Sequence, residues 1–394
     1  MEELRWRSLR KGVNILKMFY VLVVADVVLF FMGLRGAVGL PRMAEHIKGW
    51  LIAGIIIALV EFALFWWGII IVYINSRQLH IKWRVIGIIC GWMPIVNLCV
   101  LFVLIKIAGE EARFELKKIK LNHKRHAQKV CATKYPILMV HGIFFRDFDH
   151  FNYWGRIPGE LEHNGARIYY GEHESAASVQ RCGEQLAEKI KKIVNETGCG
   201  KVNVIAHSKG GLDMRYALCH CDVAPFVASL TTINTPHRGC EFADYLLKKI
   251  PESRQKLIAG KYNRIFTKLG DKEADFIKGV TDLTASVCER FNQENKDVPG
   301  VLYQSVGSRL NHAEGGKFPL NFTYKLVDAF DGPNDGLVST VSFSWGSSFE
   351  LLTVKGKRGI SHGDMIDLNG DNIKDFDVRE FYVSLVSGLR EKGL

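Results

Sequence analysis

Ser208 stands in Val204-Ile-Ala-His-Ser-Lys-Gly-Gly211, directly after an apolar run and directly before a helix-like one. A serine on such a strand-to-helix turn has its hydroxyl raised toward substrate, and the helix N-terminus behind it stabilises negative charge. The usual pattern is G-x-S-x-G, because small residues two before and two after the serine let strand and helix approach closely. Here Gly210 is present and Ala206, the next smallest residue, takes the leading position. The chemistry implied is attack by an activated serine, which needs a base, an acid to orient that base, and donors for the oxyanion. The competing reading is a chance serine in a strand-to-helix loop, and the flanking context weighs against it.

Candidates for the other groups follow in order. Asp331-Gly-Pro-Asn-Asp335-Gly-Leu-Val-Ser339 is a turn-rich stretch carrying two carboxylates. Gly359-Ile-Ser-His362-Gly-Asp364 sets a histidine in a glycine-flanked loop after the strand-like Phe349 to Val354. Upstream, the apolar run Pro136 to Val140 ends in His141-Gly-Ile-Phe144. This reads as a buried strand followed by a loop whose backbone N–H groups can face an oxyanion.

His141-Gly-Ile, Ala206-His-Ser-Lys-Gly, Asn234-Thr-Pro-His-Arg-Gly239, Asn334-Asp-Gly-Leu-Val338 and Ser361-His-Gly-Asp364 together resemble the motifs of bacterial triacylglycerol lipases of the α/β-hydrolase fold. The resemblance covers the last two thirds of the chain. It implies Ser208 as nucleophile, Asp335 as triad acid and His362 as base, with the N–H groups of Ile143 and Lys209 forming the oxyanion hole. The nearby Asp331 is an alternative acid, and the match to Asn-Asp-Gly-Leu-Val favours Asp335. His141, His207 and His237 belong beside strand ends rather than to the base position, and the Thr-Pro-His-Arg-Gly loop shapes the surroundings of the elbow. The resemblance also implies a structural calcium near the histidine. Asp364 fits one ligand position and Glu314 is the acidic residue nearest the second, two donors where calcium takes six to eight. Asp367, Asn369, Asp371 and Asp375 hint at an EF-type loop. Asn372 and Val378 stand where glycine and glutamate are needed, so a polar turn and helix start is expected there.

These groups require an α/β doubly wound sheet to hold them. Ala166 to Tyr170, Lys201 to Ala206, Leu230 to Ile233 and Val301 to Val306 read as strands, and Val378 to Leu389 as a closing helix. Cys182, Leu186, Ile190 and Ile193 make one apolar face at helical spacing. The insertion 241–300 carries amphipathic blocks: Phe242, Leu246, Leu247 and Ile250, then Phe276, Ile277, Val280 and Leu283. Either a mobile lid for aggregated substrate or a fixed helical cap would have this pattern.

Residues 1–108 pose a separate question. Apolar runs near 15–34, 50–74 and 83–107 each approach or exceed the ~20 residues needed to cross hydrocarbon. They predict three transmembrane spans, joined through an amphipathic linker at 109–130 to a hydrolase domain at 131–394. Basic residues flank them (Arg5 to Lys11; Arg35, Arg42 and Lys48; Arg77 to Arg84), and Trp50, Trp66, Trp67, Trp83 and Trp92 lie in or beside them. Asp26 and Glu61 interrupt the spans, where charges face other helices or water, and Pro94 is expected to kink the third. Three spans and a basic amino-terminal tail put the hydrolase on the outer face. Lys106 through Arg125 pull the other way, and the usual dominance of the first helix favours the outer face.

The formal net charge of +11 suits an anionic lipid surface. No base-reading motif accompanies it, so nucleic acid is not an expected partner. Nine cysteines, an odd number without a C-x-x-C pair, give no support to an oxidising compartment. The reading is a membrane-anchored serine hydrolase of lipid carboxylic esters that needs no cofactor for its chemistry. Its rivals are an acyltransferase, an esterase or thioesterase for soluble substrates, and a non-catalytic membrane binding module.

Overall fold

The computed structural model describes residues 2–34, 47–91, 93–143, 153–268 and 275–394. Arg35, Arg42, Trp92, Phe144 and residues 269–274 of the insertion lie outside the described residues. The chain divides into two compact units, Met1–Lys124 and Arg125–Leu394.

The first unit is helical. Its helices α1 (Glu2–Leu34) and α2 (Ile47–Asn75) hold segments long and apolar enough to cross a membrane, Glu2–Met32 and Leu51–Asn75. They pack antiparallel through small residues: a Cβ at Gly12 would lie 2.6 Å from Ile71, and one at Gly68 would lie 2.7 Å from Leu16. Val28, Phe31, Ile55, Phe62 and Trp67 point outward and are exposed. The third apolar run differs from expectation. It is divided between α3 (His80–Cys90) and α4 (Pro94–Arg125), so among the described residues two helices rather than three have the length and composition of a span. Pro94 starts a helix instead of kinking one, because a residue without an N–H fits the first turn, where that donor has no helical partner. α4 then runs on without interruption through most of the stretch expected as a separate linker, and residues 109–124 fall in the first unit.

The second unit is a six-stranded, wholly parallel sheet in the order β2-β1-β3-β4-β5-β6. The strands are β1 (Ile137–Val140), β2 (Ile168–Tyr170), β3 (Val202–His207), β4 (Val227–Ile233), β5 (Leu302–Ser308) and β6 (Ser348–Leu352). Strand side chains alternate between faces, and both faces are apolar because both are covered. Ile137, Met139, Ile205 and Ile233 pack with α5 (Ile157–His163) and α13 (Val378–Glu391). Leu138, Val140, Val204 and Ala206 face α6 (Val179–Thr197) and α7 (Lys209–His220). α6 starts where the Ser178 side chain accepts from the Arg181 N–H and ends at Gly198, whose φ of 65° closes the helix. The insertion supplies α8 (Glu241–Lys249), α9 (Glu252–Lys268), α10 (Phe276–Thr281) and α11 (Ala285–Glu294), and α12 (Leu320–Asp331) follows β5.

Strand order reverses at β1 and β3, the switch point where open α/β sheets form a crevice at the carboxyl ends of their strands. Ser208 is the single residue between β3 and α7. The tightness of that turn depends on the glycines after it: a Cβ at Gly210 would overlap the His141 carbonyl oxygen, and one at Gly211 the Thr235 side chain. Gly210→Ala is therefore expected to destabilise the unit by about 1–3 kcal/mol through overpacking, seen as a lower thermal unfolding midpoint. Gly388→Ala on α13, where a Cβ meets nothing within 4 Å, is the control. It is expected to be neutral or stabilising by up to about 1 kcal/mol.

Candidate active site

Ser208 has φ 53° and ψ −130°, a backbone conformation that an L-residue adopts only when its surroundings impose it. Two backbone bonds hold it: its N–H donates to Ile233 O (2.9 Å), and Gly211 N donates to Ser208 O (3.1 Å). The loop after β1 presses against it, since a Cβ at Gly142 would lie 2.8 Å from Ser208 Cβ. Ile143, the next residue, lines the same cavity as Ser208. Lys209 opens α7 immediately behind the serine.

His362 and Asp335 are brought together. His362 Nδ1 lies 2.6 Å from Asp335 Oδ2, and His362 N donates to Asp335 O at 2.9 Å. The fully buried Asp335 carboxylate is saturated with donors. Oδ1 accepts from the Leu337 and Val338 N–H groups at 2.9 and 2.8 Å, and Oδ2 accepts from Asn234 Nδ2 at 2.5 Å as well as from the histidine. Asn234 also donates to Ser308 Oγ and holds φ 48°, which asparagine tolerates better than most residues. Its part was not evident from sequence, although it opens the Asn-Thr-Pro-His-Arg-Gly motif. The alternative acid, Asp331, is elsewhere: its carboxylate accepts the Glu241 and Phe242 N–H groups at the start of α8, capping the first helix of the insertion. Among the described residues no hydrogen bond joins Ser208 Oγ to His362, a contact that is often loose in ligand-free hydrolases.

The remaining motif histidines are structural neighbours. His207 packs its ring 4.5 Å from that of His362 and shares a 2.7 Å bond with Tyr153 Oη, which also accepts from Gly142 N. His141 stacks on His173 at 3.9 Å. His237 is 2.9 Å from Thr232 Oγ1 and 3.3 Å from Arg215 Nη1, and Arg215 lies 3.5 Å over Trp345. Behind the elbow, Lys209 Nζ donates to Asp213 at 2.6 Å and to Cys182 Sγ at 3.3 Å, all fully buried. Burial alone would lower the lysine, but Asp213 and Cys182 outweigh it and keep the ammonium charged. His173, Cys182 and Asp213 are close enough to hold a metal ion, yet this ammonium already stands among them.

A cavity of about 440 Å³ opens at Ser208. Its walls include all eight apolar residues singled out in the insertion: Phe242, Leu246, Leu247 and Ile250 from α8 and its end, and Phe276, Ile277, Val280 and Leu283 from α10 and its flank. The insertion therefore roofs the space beside the serine, with its apolar face turned inward.

The expected calcium ligands do not fit a cation site. Asp364 Oδ1 accepts from Arg358 Nη2 (2.9 Å), and Oδ2 accepts from the Ser361 N–H and hydroxyl (both 2.8 Å). Arg358 also reaches Asp371, which Lys317 pairs from the other side. Glu314 is exposed and on a separate short turn. Asp367 pairs with Arg156 (2.7 Å) rather than shaping an EF-type loop.

The profile of the family described as palmitoyl protein thioesterase matches residues 136–298. A triacylglycerol lipase of Vibrio cholerae serotype O1 is 31% identical over 245 residues, 56% of this chain and 77% of that protein. One from Pseudarthrobacter phenanthrenivorans is 34% identical over 180 residues, 42% of this chain and 56% of the relative. The crystal structure of Staphylococcus hyicus lipase matches with a TM-score of 0.53 at 21% identity, over 66% of this chain and 96% of that one. The fold is that of an α/β-hydrolase, and the chain belongs to the triacylglycerol lipase family. It spans about half the length of the first curated relatives it matches, 56% and 49%.

Two expectations follow. His141, His207 and His237 are fully buried, and burial drives each well below the ordinary imidazole value near 6.5; His173, His362 and the arginines 215 and 238 respectively push the same way. In this range the unfolded chain binds protons that the folded chain refuses. Stability is then complete above pH 6.5 and falls below it, by about 1.4 kcal/mol per pH unit for each histidine. Unfolding midpoints of the detergent-solubilised protein between pH 8 and 5 measure this, and a flat profile would refute it. Because Arg358 already neutralises Asp364, a strong chelator is expected to leave the midpoint unchanged, whereas a loss of several degrees would mean that a metal is bound.

Proposed function

We propose that this chain is a serine ester hydrolase attached to a membrane, cleaving the acyl esters of lipids. The observation that carries this reading is the apolar cavity opening at Ser208 beneath the insertion, a space suited to a hydrocarbon chain rather than a polar group. Membrane attachment is supported by the two long apolar helices of the first unit, and it would keep the site where such substrates are concentrated.

In this mechanism Ser208 Oγ attacks the acyl carbonyl while His362 Nε2 takes its proton. Asp335 accepts from Nδ1–H, fixing the tautomer and stabilising the imidazolium. The Ile143 and Lys209 N–H groups receive the oxyanion, and the helix N-terminus of α7 adds its positive end. Collapse of the tetrahedral adduct expels the alcohol, which takes the proton from His362. Water then attacks the acyl-enzyme by the same route, releasing the fatty acid and restoring the serine. Asn234 is a positioning residue in this scheme, holding Asp335 through the oxygen that faces the histidine.

The match to the thioesterase profile favours a second reading, in which the leaving group is a thiol and every other step is the same. Matched esters and thioesters of one chain length distinguish the two by relative kcat/KM.

Labelling of membranes with a fluorophosphonate probe tests the serine chemistry. Wild type is expected to label, Ser208→Ala not at all, and His362→Ala far more slowly. Asp335→Asn is expected to lower ester turnover by up to about 10⁴-fold, the scale of losing the correct tautomer. Asp331→Asn is expected to retain turnover and cost about 1 kcal/mol of stability through the weakened α8 cap. Undiminished labelling of the serine variant, or a collapse of turnover with Asp331→Asn matched by none with Asp335→Asn, would overturn these assignments.

A further inference from the structure

We infer that α3 and the start of α4 form a re-entrant hairpin, which enters the bilayer and returns to the face it left. The amino terminus and the catalytic unit are then both on the cytoplasmic side. Arg5 Nε donates to Asn75 O (2.8 Å), so the start of α1 meets the end of α2. Glu111 on α4 reaches the same place: its carboxylate accepts from Ser76 Oγ (2.5 Å) and from the Arg77 and Gln78 N–H groups (2.8 and 3.2 Å). Trp6 and Leu9 of α1, Leu79, and Ala108 and Ala112 of α4 are buried in one cluster there. Residues 2–9, 75–80 and 108–112 therefore share one end, while Leu34 and Ile47 lie at the other, a bilayer's thickness away along α1 and α2.

Between Leu79 and Ala108 the chain leaves this end and comes back to it. α3 has 11 residues, about 16 Å at 1.5 Å per residue, which is half of a ~30 Å hydrocarbon core. It stops at Cys90, and α4 returns alongside it: a Cβ at Gly87 would lie 3.1 Å from Leu104 and overlap the Tyr73 hydroxyl. Gly91 and Asn97 at the tip line a cavity of about 770 Å³ together with Glu61 of α2. Interrupted backbone at membrane depth is tolerated where protein or water can meet its polar groups. The Gly91 and Met93 N–H groups at this break donate to Ile88 O and Cys90 O (3.3 and 3.0 Å), and Glu61 and Asn97 bring a polar side chain each from α2 and α4 to an otherwise mostly apolar cavity.

The hairpin changes the parity of the membrane crossings. Lys and Arg number four in residues 1–11, three in 76–84 and six in 106–124, against three in 35–48. With three full crossings these groups fall on opposing sides and nearly balance. With two crossings and a hairpin the first three groups share one face, and the cytoplasmic excess of basic residues assigns that face to the inside. The outer-face expectation is thereby reversed. Taken with the proposed hydrolase activity, on which this last step rests, the substrates are lipids of the cytoplasmic leaflet.

Topology reporters on the full chain in bacterial cells test the inference without requiring activity. Green fluorescent protein fused after Leu394 is expected to fluoresce, and alkaline phosphatase at the same point to be inactive. Phosphatase inserted after Gly39 is expected to be active, and a tag before Met1 to resist an impermeant protease. Active phosphatase after Leu394 with the amino terminus protected would establish an odd number of crossings and overturn the hairpin. Active phosphatase after Leu394 with an exposed amino terminus would overturn the cytoplasmic assignment, as would an inactive insert after Gly39.

Discussion

A carboxylate sealed from solvent is costly unless every lone pair is met by a donor, and Asp335 imposes that constraint on the catalytic unit. Its donors come from three separate stretches of chain: Asn234 after β4, the Leu337 and Val338 amides of its own turn, and His362 in the loop after β6. Each must arrive at a fixed distance, so the ends of β4, β5 and β6 are tied to one point. The link from Asn234 to Ser308 and the bond from its own N–H to Val306 O anchor the same residue to β5. A parallel sheet delivers loops to one edge, and the buried acid turns those loops into a single arrangement.

The strain at Ser208 belongs to the same economy. Its positive φ is held because β3 is paired on both sides, Ala206 lying opposite Val140 and Thr232, while glycines at 142, 210 and 211 let the neighbouring backbone close around it. Directly beneath, the Lys209–Asp213 pair lies inside the first turn of α7. A buried pair of this kind adds little net stability against an apolar replacement, but loss of either partner leaves a bare charge. The elbow is thus fixed from both sides, by sterics above and by electrostatics below.

The legible parts of this protein were those set by local pattern. Apolar runs marked the core strands because both sheet faces are covered, and eight insertion residues chosen for helical spacing all line one cavity because an amphipathic helix has only one face to bury. Motif context also separated Asp335, the partner of His362, from Asp331, which caps a helix. Tertiary partnership was not legible. Asn234 carries no sign in sequence of which carboxylate it will serve. Asp364 looked like a metal ligand because a carboxylate reads the same whether its partner is a cation or Arg358. The division of the third apolar run was hidden for a different reason: no charged residue interrupts the sequence between Arg84 and Lys106, although one helix ends at Cys90 and the next starts at Pro94.

That last case explains why the charges around the apolar runs gave no clear answer on their own. The distribution of Lys and Arg carries information only after the crossings have been counted, and under the proposed hairpin the run 83–107, about 37 Å long as helix, is spent on a descent and a return rather than on one traverse. A continuous helix over 83–107 would carry Glu111 to the side opposite Ser76. The bonds from Ser76, Arg77 and Gln78 to that carboxylate hold the two segments at one end of the helical unit instead. A single glutamate, read in sequence as part of a charged stem, ties residues 76–78 to α4 and is the contact on which the proposed hairpin rests.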